Sequence, residues 1–237
     1  MEKELKISIA SGAWKRHRLF KYFCEYYQQL KEVYPFRLIV SCTEKETFDM
    51  CMKYGHQPVM VDNTPLYRKM NASVKKADGS DYTILIGSDD FISEKAFLYY
   101  IELFKQKIDY IYTLDWYFYD TISKRSLYWG GYDRKFNKGL GCGAGRAVSR
   151  NLMEQLQWEP WPPGYDKVLD TGMERKLDKL KFTHYGFKLK DFDLFCLDIK
   201  TEVNMTPFNV WPNCTLMEPK LMLQKYMPKE TEKILAL

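Results

Sequence analysis

Two adjacent acids at the end of an apolar run are the residues best placed to do chemistry. Tyr82-Thr-Ile-Leu-Ile86 has the β-branched, apolar character of a buried strand; it stops at Gly87-Ser88, and Asp89 and Asp90 follow at once. Two carboxylates held side by side are costly unless a cation or a proton relieves them. Their hard oxygens suit Mg²⁺ or Mn²⁺, and either ion suits a substrate diphosphate. A plainer alternative stands beside this one. Asp is common where a strand gives way to a helix, so Asp89 would cap the following helix and Asp90 would be solvated.

The elements that must hold these acids can be read in order. Leu5 to Ala10 alternates as a first strand, Ser11-Gly12-Ala13 reads as a tight turn, and a helix runs on from Trp14 with apolar residues at Leu19, Tyr22, Phe23, Tyr26 and Leu30. Its first turn carries Lys15, Arg16, His17 and Arg18; cations there oppose the helix macrodipole unless a bound phosphate answers them. Phe36–Cys42 is a second strand, Lys45–Tyr54 a helix closed by Gly55, and Gln57–Val61 a third strand ending at Asp62-Asn63. A helix bearing Arg68 and Lys69 follows, with Thr64 as its N-cap and Pro65 in its first turn. After the strand that leads to Asp89, Ser93 caps a helix, and Ile108–Leu114 is a fifth strand. Strands and helices alternating with short loops predict an α/β chain with a mostly parallel, Rossmann-like sheet, whose ligands bind at the carboxyl ends of the strands.

From Trp116 the period changes. Trp116–Tyr119 and Ser126–Trp129 form a predicted antiparallel hairpin, followed by a glycine-dense stretch from Gly139 to Arg146 and a helix near Val148–Leu156. Leu169-Asp170-Thr171-Gly172 leads into a helix over Met173–Leu180, with Asp170 placed to cap it. Leu194–Ile199 is a further strand with Asp198 near its end, and the tail reads as two short helices broken at Pro228.

Composition narrows the class. Hydrophobic content of 46% and charged content of 28% are ordinary for a globular chain, and a net charge of +5 allows an anionic substrate without the dense basic stripe of a dedicated nucleic-acid binder. The 18 Tyr, 14 Phe and 6 Trp suit stacking on a sugar or base, although most such rings belong to the core. There is no signal-peptide pattern and no apolar run of transmembrane length, and the six scattered cysteines show no zinc-ligand spacing. Reduced thiols and a cytoplasmic location are the expectation.

At this point the chain resembles the GT-A glycosyltransferases, of the inverting family 2 type. Ile86-Gly-Ser-Asp-Asp-Phe91 looks like that family's Asp-x-Asp metal motif, and Asn63-Thr-Pro-Leu-Tyr-Arg-Lys-Met-Asn71 like its donor-side helix start. Gly143-Ala-Gly-Arg-Ala-Val-Ser-Arg150 is similar to its glycine-rich acceptor stretch, and Leu169-Asp-Thr-Gly172 stands where its catalytic acid pair stands. Two departures matter: Gly87 replaces the first acid of the metal motif, and Leu169 replaces the first acid of the catalytic pair.

The resemblance implies metal-dependent transfer of a sugar, with inversion, from a nucleoside-diphosphate sugar to a hydroxyl on a saccharide, a small molecule or a modified pyrimidine in DNA. Asp89 would ligate Mn²⁺ or Mg²⁺, with Ser88 and Asp90 beside it. Ala10, Ser11 and Gly12 would approach the nucleoside, Asp62 or Asn63 would bind the base, and Arg68, Lys69 or the Lys15–Arg18 cluster would assist at the phosphates. Asp170 would be the general base, with His184 its rival, and Asp115, Trp116, Trp129 and Arg146 would line the acceptor site. Residues 1–115 would bind the donor and 116–200 the acceptor, in one domain with an elaboration over 201–237. Two other classes compete: a sugar-nucleotide nucleotidyltransferase, and a non-catalytic binder of nucleotide sugars.

Overall fold

A computed structural model describes residues 4–133, 139–166, 168–204, 208 and 213–237. In chain order the elements are β1 (Ile7–Ala13), α1 (His17–Leu30), β2 (Phe36–Cys42), α2 (Lys45–Lys53), β3 (Gln57–Met60), α3 (Leu66–Lys76), β4 (Tyr82–Leu85), β5 (Asp90–Ile92), α4 (Glu94–Lys105), β6 (Tyr110–Thr113), β7 (Trp116–Asp120) and β8 (Arg125–Trp129). They continue with β9 (Arg146–Ser149), α5 (Arg150–Gln155), α6 (Leu169–Leu177), β10 (His184–Phe187), a short 3₁₀ turn at Lys190–Phe192, β11 (Cys196–Lys200), β12 (Cys214–Met217), α7 (Pro219–Tyr226) and α8 (Thr231–Leu235). Of the C-terminal elaboration expected over 201–237, residues 205–207 and 209–212 lie outside the described ones.

Seven strands form one sheet in the order β10-β6-β9-β4-β1-β2-β3, parallel throughout except for β9, which runs against both neighbours. Five form a second sheet, β12-β8-β7-β11-β5, in which only β7 and β11 are parallel. β4 and β5 are separated by the Ile86–Asp89 turn yet belong to different sheets, so the acids sit at the joint between them.

Helix α1 shows how sequence fixes that joint. Its buried face (Leu19, Phe20, Tyr22, Phe23, Tyr26, Tyr27, Leu30) follows the three-and-four spacing of an amphipathic helix. Tyr22, Phe23 and Tyr26 pack around Phe91 with centroids 5.1, 5.9 and 5.3 Å away. The Tyr27 hydroxyl donates to the Asp90 carbonyl at 2.9 Å and the Tyr26 hydroxyl to the Ile92 carbonyl at 2.6 Å. The aromatic wealth of the sequence is here largely core, and it pins β5, which begins with the second acid, Asp90.

Several boundaries differ from the sequence expectation. β1 does not end at Ala10 but pairs with β2 through Ala13, so Ser11–Ala13 is strand and not turn. Pro65, in extended conformation, is the residue before α3, and Thr64 makes no cap. Ser149 ends a strand and caps α5 by accepting from Leu152 N, so the helix expected near Val148 begins at Arg150. β5, β10 and β12 come from short segments that carry too few alternations to announce a strand. Ser93 does cap α4, accepting from Ala96 N. All six cysteines are free thiols, and among the described residues no helix is long and apolar enough to cross a membrane.

One core group gives the fold a pH dependence. His56, buried between α1 and α2, donates from Nε2 to the Cys24 carbonyl at 2.7 Å and accepts at Nδ1 from Lys31 Nζ at 3.1 Å, a pattern only the neutral ring satisfies. Burial pushes the imidazole down to about 4. The unfolded chain takes up the proton first, so the contribution is intact above the ordinary value near 6.5 and is lost as pH falls toward 4. Urea unfolding at pH 7 and pH 4.5 should show this residue removing about 2–3 kcal/mol, a loss absent from His56→Gln. Equal losses in wild type and variant would contradict it.

Candidate functional site

The carboxyl ends of β1 and β4 open with the β7–β8 hairpin and the start of α6 onto a cavity of about 570 Å³. Gly12, Asn63, Lys69, Ser88, Asp89, Asp90, Trp116, Trp129 and Asp170 all line it. The structure thus brings together acids, glycine and rings expected from segments far apart in sequence.

At the inner end, Asp89 accepts from Arg16 Nη1 at 2.7 Å, while Arg16 Nη2 donates to Ser88 Oγ at 3.1 Å. The Arg16 and Lys200 charges outweigh the effect of burial and hold the Asp89 carboxyl below the usual range. Asp89 therefore faces the cavity and caps no helix. Asp90 is buried and accepts from Gly87 N at 2.5 Å; burial, with Asp198 and Asp89 nearby, pushes its carboxyl well up. Asp198 is the partner of Asp90 in the β5–β11 register. Its Oδ2 pairs with Lys200 at 2.6 Å, its Oδ1 is a buried acceptor without a hydrogen bond, and burial pushes it up to about 6.

Gly87 stands where the metal motif has its first acid, and its lack of a side chain leaves the two carboxylates room to lie as they do. A Cβ at this position would lie 2.4 Å from Asp89 Oδ1 and 2.9 Å from Asp90 Oδ2. Lys69 is buried, donates to the Ala13 carbonyl at 2.7 Å and to Asn63 Oδ1 at 2.8 Å, and is pushed down by burial to about 8.

At the outer end, Asp170 lies in the first turn of α6 with its side chain 42% exposed. The cap residue is Val168, so Asp170 is not the N-cap. A Cβ at Gly143 would come within 2.6 Å of Asp170 Oδ2, so the glycine backbone runs close against the acid. Trp116 and Trp129 face each other across the hairpin register, Tyr132 packs edge-on to Trp129 at 4.9 Å, and the buried Trp116 Nε1 has no hydrogen-bond acceptor.

Six expected site residues lie elsewhere. Ala10 and Ser11 are fully buried within β1, because the strand runs further than expected; Gly12 and, just past the strand's end, Trp14 line the cavity instead. Asp62 and Arg68 are exposed and do not line it. Asp115 is wholly buried, accepting from Leu189 N at 2.6 Å, Lys190 N at 3.1 Å and the Tyr128 hydroxyl at 2.9 Å; it ties the hairpin to the segment after β10 and cannot meet an acceptor. Arg146 is 1% exposed and sits behind Asp170, not in the cavity. The rival base His184 is an exposed residue of β10 and also lies outside the lining.

The sequence alone does not single out Lys200, Trp14 or Tyr132, which also line the cavity. Lys200 had one available signal: on a strand it shares a face with Asp198 two residues earlier. A second hollow of about 390 Å³, near Asp120, Arg125 and Glu202, adjoins the first, Asn204 lining both.

The architecture is a GT-A-like glycosyltransferase fold. It is shared with glucosyl-3-phosphoglycerate synthase from Mycobacterium tuberculosis bound to phosphoglyceric acid, at a TM-score of 0.51 and 17% identity over 78% of this chain and 70% of that one. A mycobacterial protein matches at 0.51 and 14%, over 86% and 69%. The synthase bound to Mn²⁺, uridine diphosphate and glucosyl-3-phosphoglycerate matches at 0.50 and 17%, over 78% and 70%. No protein-family model and no curated protein matches the sequence.

Proposed function

We propose that the chain is a glycosyltransferase that moves a sugar from a nucleoside-diphosphate sugar to an acceptor hydroxyl with inversion. The observation that carries this reading is one cavity with an acid–base cluster at the carboxyl ends of β1 and β4 and a separate carboxylate, Asp170, beside aromatic rings at its outer end. The diphosphate belongs at the inner end, near Arg16, Lys69 and Asp89. Gly12, Trp14 and Asn63 receive the nucleoside. The acceptor lies beside the half-buried Tyr132, over a floor to which the otherwise buried Trp116 and Trp129 contribute only a small part of their surface. Asp170 takes the proton of the attacking hydroxyl from the side opposite the leaving group.

The donor chemistry fits a hard divalent cation, though sparsely. Asp89 faces the cavity and Asp198 Oδ1 is an unused buried acceptor, yet among the described residues no group of three or more His, Cys, Asp or Glu side chains is placed to hold an ion. Mn²⁺ or Mg²⁺ would be held by Asp89 together with the diphosphate itself, and would neutralise charge on the leaving group. The protein's own contribution is to orient both substrates and to hold Arg16 and Lys69 beside the phosphates. In the solved complexes, the mycobacterial synthase is bound to uridine diphosphate with Mn²⁺ or Mg²⁺, which supports the same class of donor here.

Thermal unfolding with UDP, GDP, CDP or TDP, each with and without Mn²⁺, tests the reading. The matching diphosphate with Mn²⁺ is expected to stabilise by about 3 kcal/mol at roughly a hundred times its Kd. Asp89→Asn should lose the increment that Mn²⁺ adds. Absence of stabilisation by all four would overturn the donor assignment.

A further inference from the structure

We propose that Arg16 is a built-in cation for the donor diphosphate: it holds Asp89 in the free protein and turns to the phosphates when the donor enters, so that nucleotide binding does not require the divalent ion and the ion does not bind without nucleotide. The inference rests on the donor reading above and deepens it.

Arg16 is placed for this at some cost. Its backbone is left-handed (φ 50°, ψ 42°), and φ of Lys15 is also positive (54°), two successive non-glycine residues in a region that side chains strain to adopt. It stands immediately before α1, whose first turn has no acid and no side-chain cap, where a cation opposes the macrodipole. Of the four basic residues Lys15–Arg18, Arg16 is the one that lines the cavity: His17 meets Glu44 and Glu46, and Arg18 meets the Ala236 carbonyl. Strain and unfavourable placement both serve to send one guanidinium, 13% exposed, onto Asp89 and Ser88.

Charge decides what that position does. Of the four carboxylates that line the cavity, Asp170 sits at the outer end; the other three, Asp89, Asp90 and Asp198, are matched in number by Arg16, Lys69 and Lys200. A bare divalent ion entering there meets no surplus of negative charge and must displace a guanidinium 2.7 Å from its best ligand. A diphosphate reverses the balance. It brings its own negative charge, and the planar guanidinium matches phosphate oxygens in a two-point contact that a lysine cannot make. Gly87 adds no ligand, and a side chain there would require the Asp89 and Asp90 carboxylates to move from where they lie.

The test measures binding of UDP, GDP, CDP and TDP to the full chain by thermal shift and calorimetry, in EDTA and in Mn²⁺, and of Mn²⁺ alone by electron paramagnetic resonance. Wild type is expected to bind its diphosphate in EDTA and to show no tight site for Mn²⁺ alone. Arg16→Gln should bind the diphosphate about 10- to 100-fold more weakly in EDTA, recover part of that loss with Mn²⁺, and gain affinity for Mn²⁺ alone. Arg16→Lys, which keeps the charge and guards against a variant that fails to fold, should fall between the two. Asp89→Asn should keep nucleotide binding in EDTA, an outcome a merely structural ion pair would not give. If wild type binds a diphosphate only with Mn²⁺ and Arg16→Gln behaves identically, the donor reading stands and this proposal falls. If no diphosphate binds under either condition, both fall.

Discussion

Replacing Asp170 by Asn is expected to lower turnover by about 10²- to 10⁴-fold while leaving diphosphate binding unchanged. The substitution keeps the side chain's size and removes only its capacity to take a proton. The split between turnover and binding follows from position: Asp170 is at the outer end, beside Gly143 and the tryptophans, while the proposed phosphate contacts are at the inner end. A carboxylate in the first turn of α6 also meets the favourable end of the helix dipole. His184→Asn is the control, because that ring is exposed on β10 and contacts Tyr112 outside the cavity. Steady-state assay with the diphosphate sugar chosen by the thermal screen, counting released nucleoside diphosphate, gives the answer. Full turnover in Asp170→Asn, or its loss in His184→Asn, would remove Asp170 from the mechanism.

Both the fold class and the place of the cavity are legible in the sequence, because both rest on local signals. β4 is a short apolar run, α1 has a repeating buried face, and the Ser93 hydroxyl caps α4 by accepting from the backbone N–H three residues on. Such features need only near neighbours in the chain. What escapes the sequence is set by partners far away. Asp115 looks like a site acid because it ends a strand, but Leu189 and Lys190 supply the backbone N–H groups that claim it. Asp198 becomes important through its register with Asp90, more than a hundred residues earlier, and nothing local specifies that pairing. β9 is missed because four residues carry little period and Ser149 signals the helix that follows. α6 begins earlier than its pattern suggests because Val168, a residue with no capping group, precedes it.

Arg146→Met is expected to destabilise the fold by about 2–5 kcal/mol, a fall in melting temperature on the order of 10 °C for a chain of this size. The side chain is 1% exposed, donating from Nε to the Cys142 carbonyl at 2.9 Å and from Nη2 to the Gly141 carbonyl at 3.1 Å. Both carbonyls belong to buried residues, so methionine would fill the volume and leave them without a donor. Nη1 lies 3.4 Å from Glu174 and 3.8 Å from Asp170, and Glu174 also accepts from the Tyr110 hydroxyl at 2.9 Å. One buried cation therefore joins the glycine-rich segment, β9 and α6, and its position behind Asp170 would make it a positioning residue for the proposed base. Arg146→Lys separates the two roles. It keeps a charge near Glu174 and Asp170 but cannot reach both carbonyls and both carboxylates at once, so it should unfold later than Arg146→Met and still lose turnover. Differential scanning calorimetry beside the turnover assay reads both effects, and a melting temperature unchanged in Arg146→Met would show that the glycine segment holds its shape without this contact. Because diphosphate binding is assigned to the far end of the cavity, it should survive in Arg146→Lys, which distinguishes a misplaced base from a collapsed site.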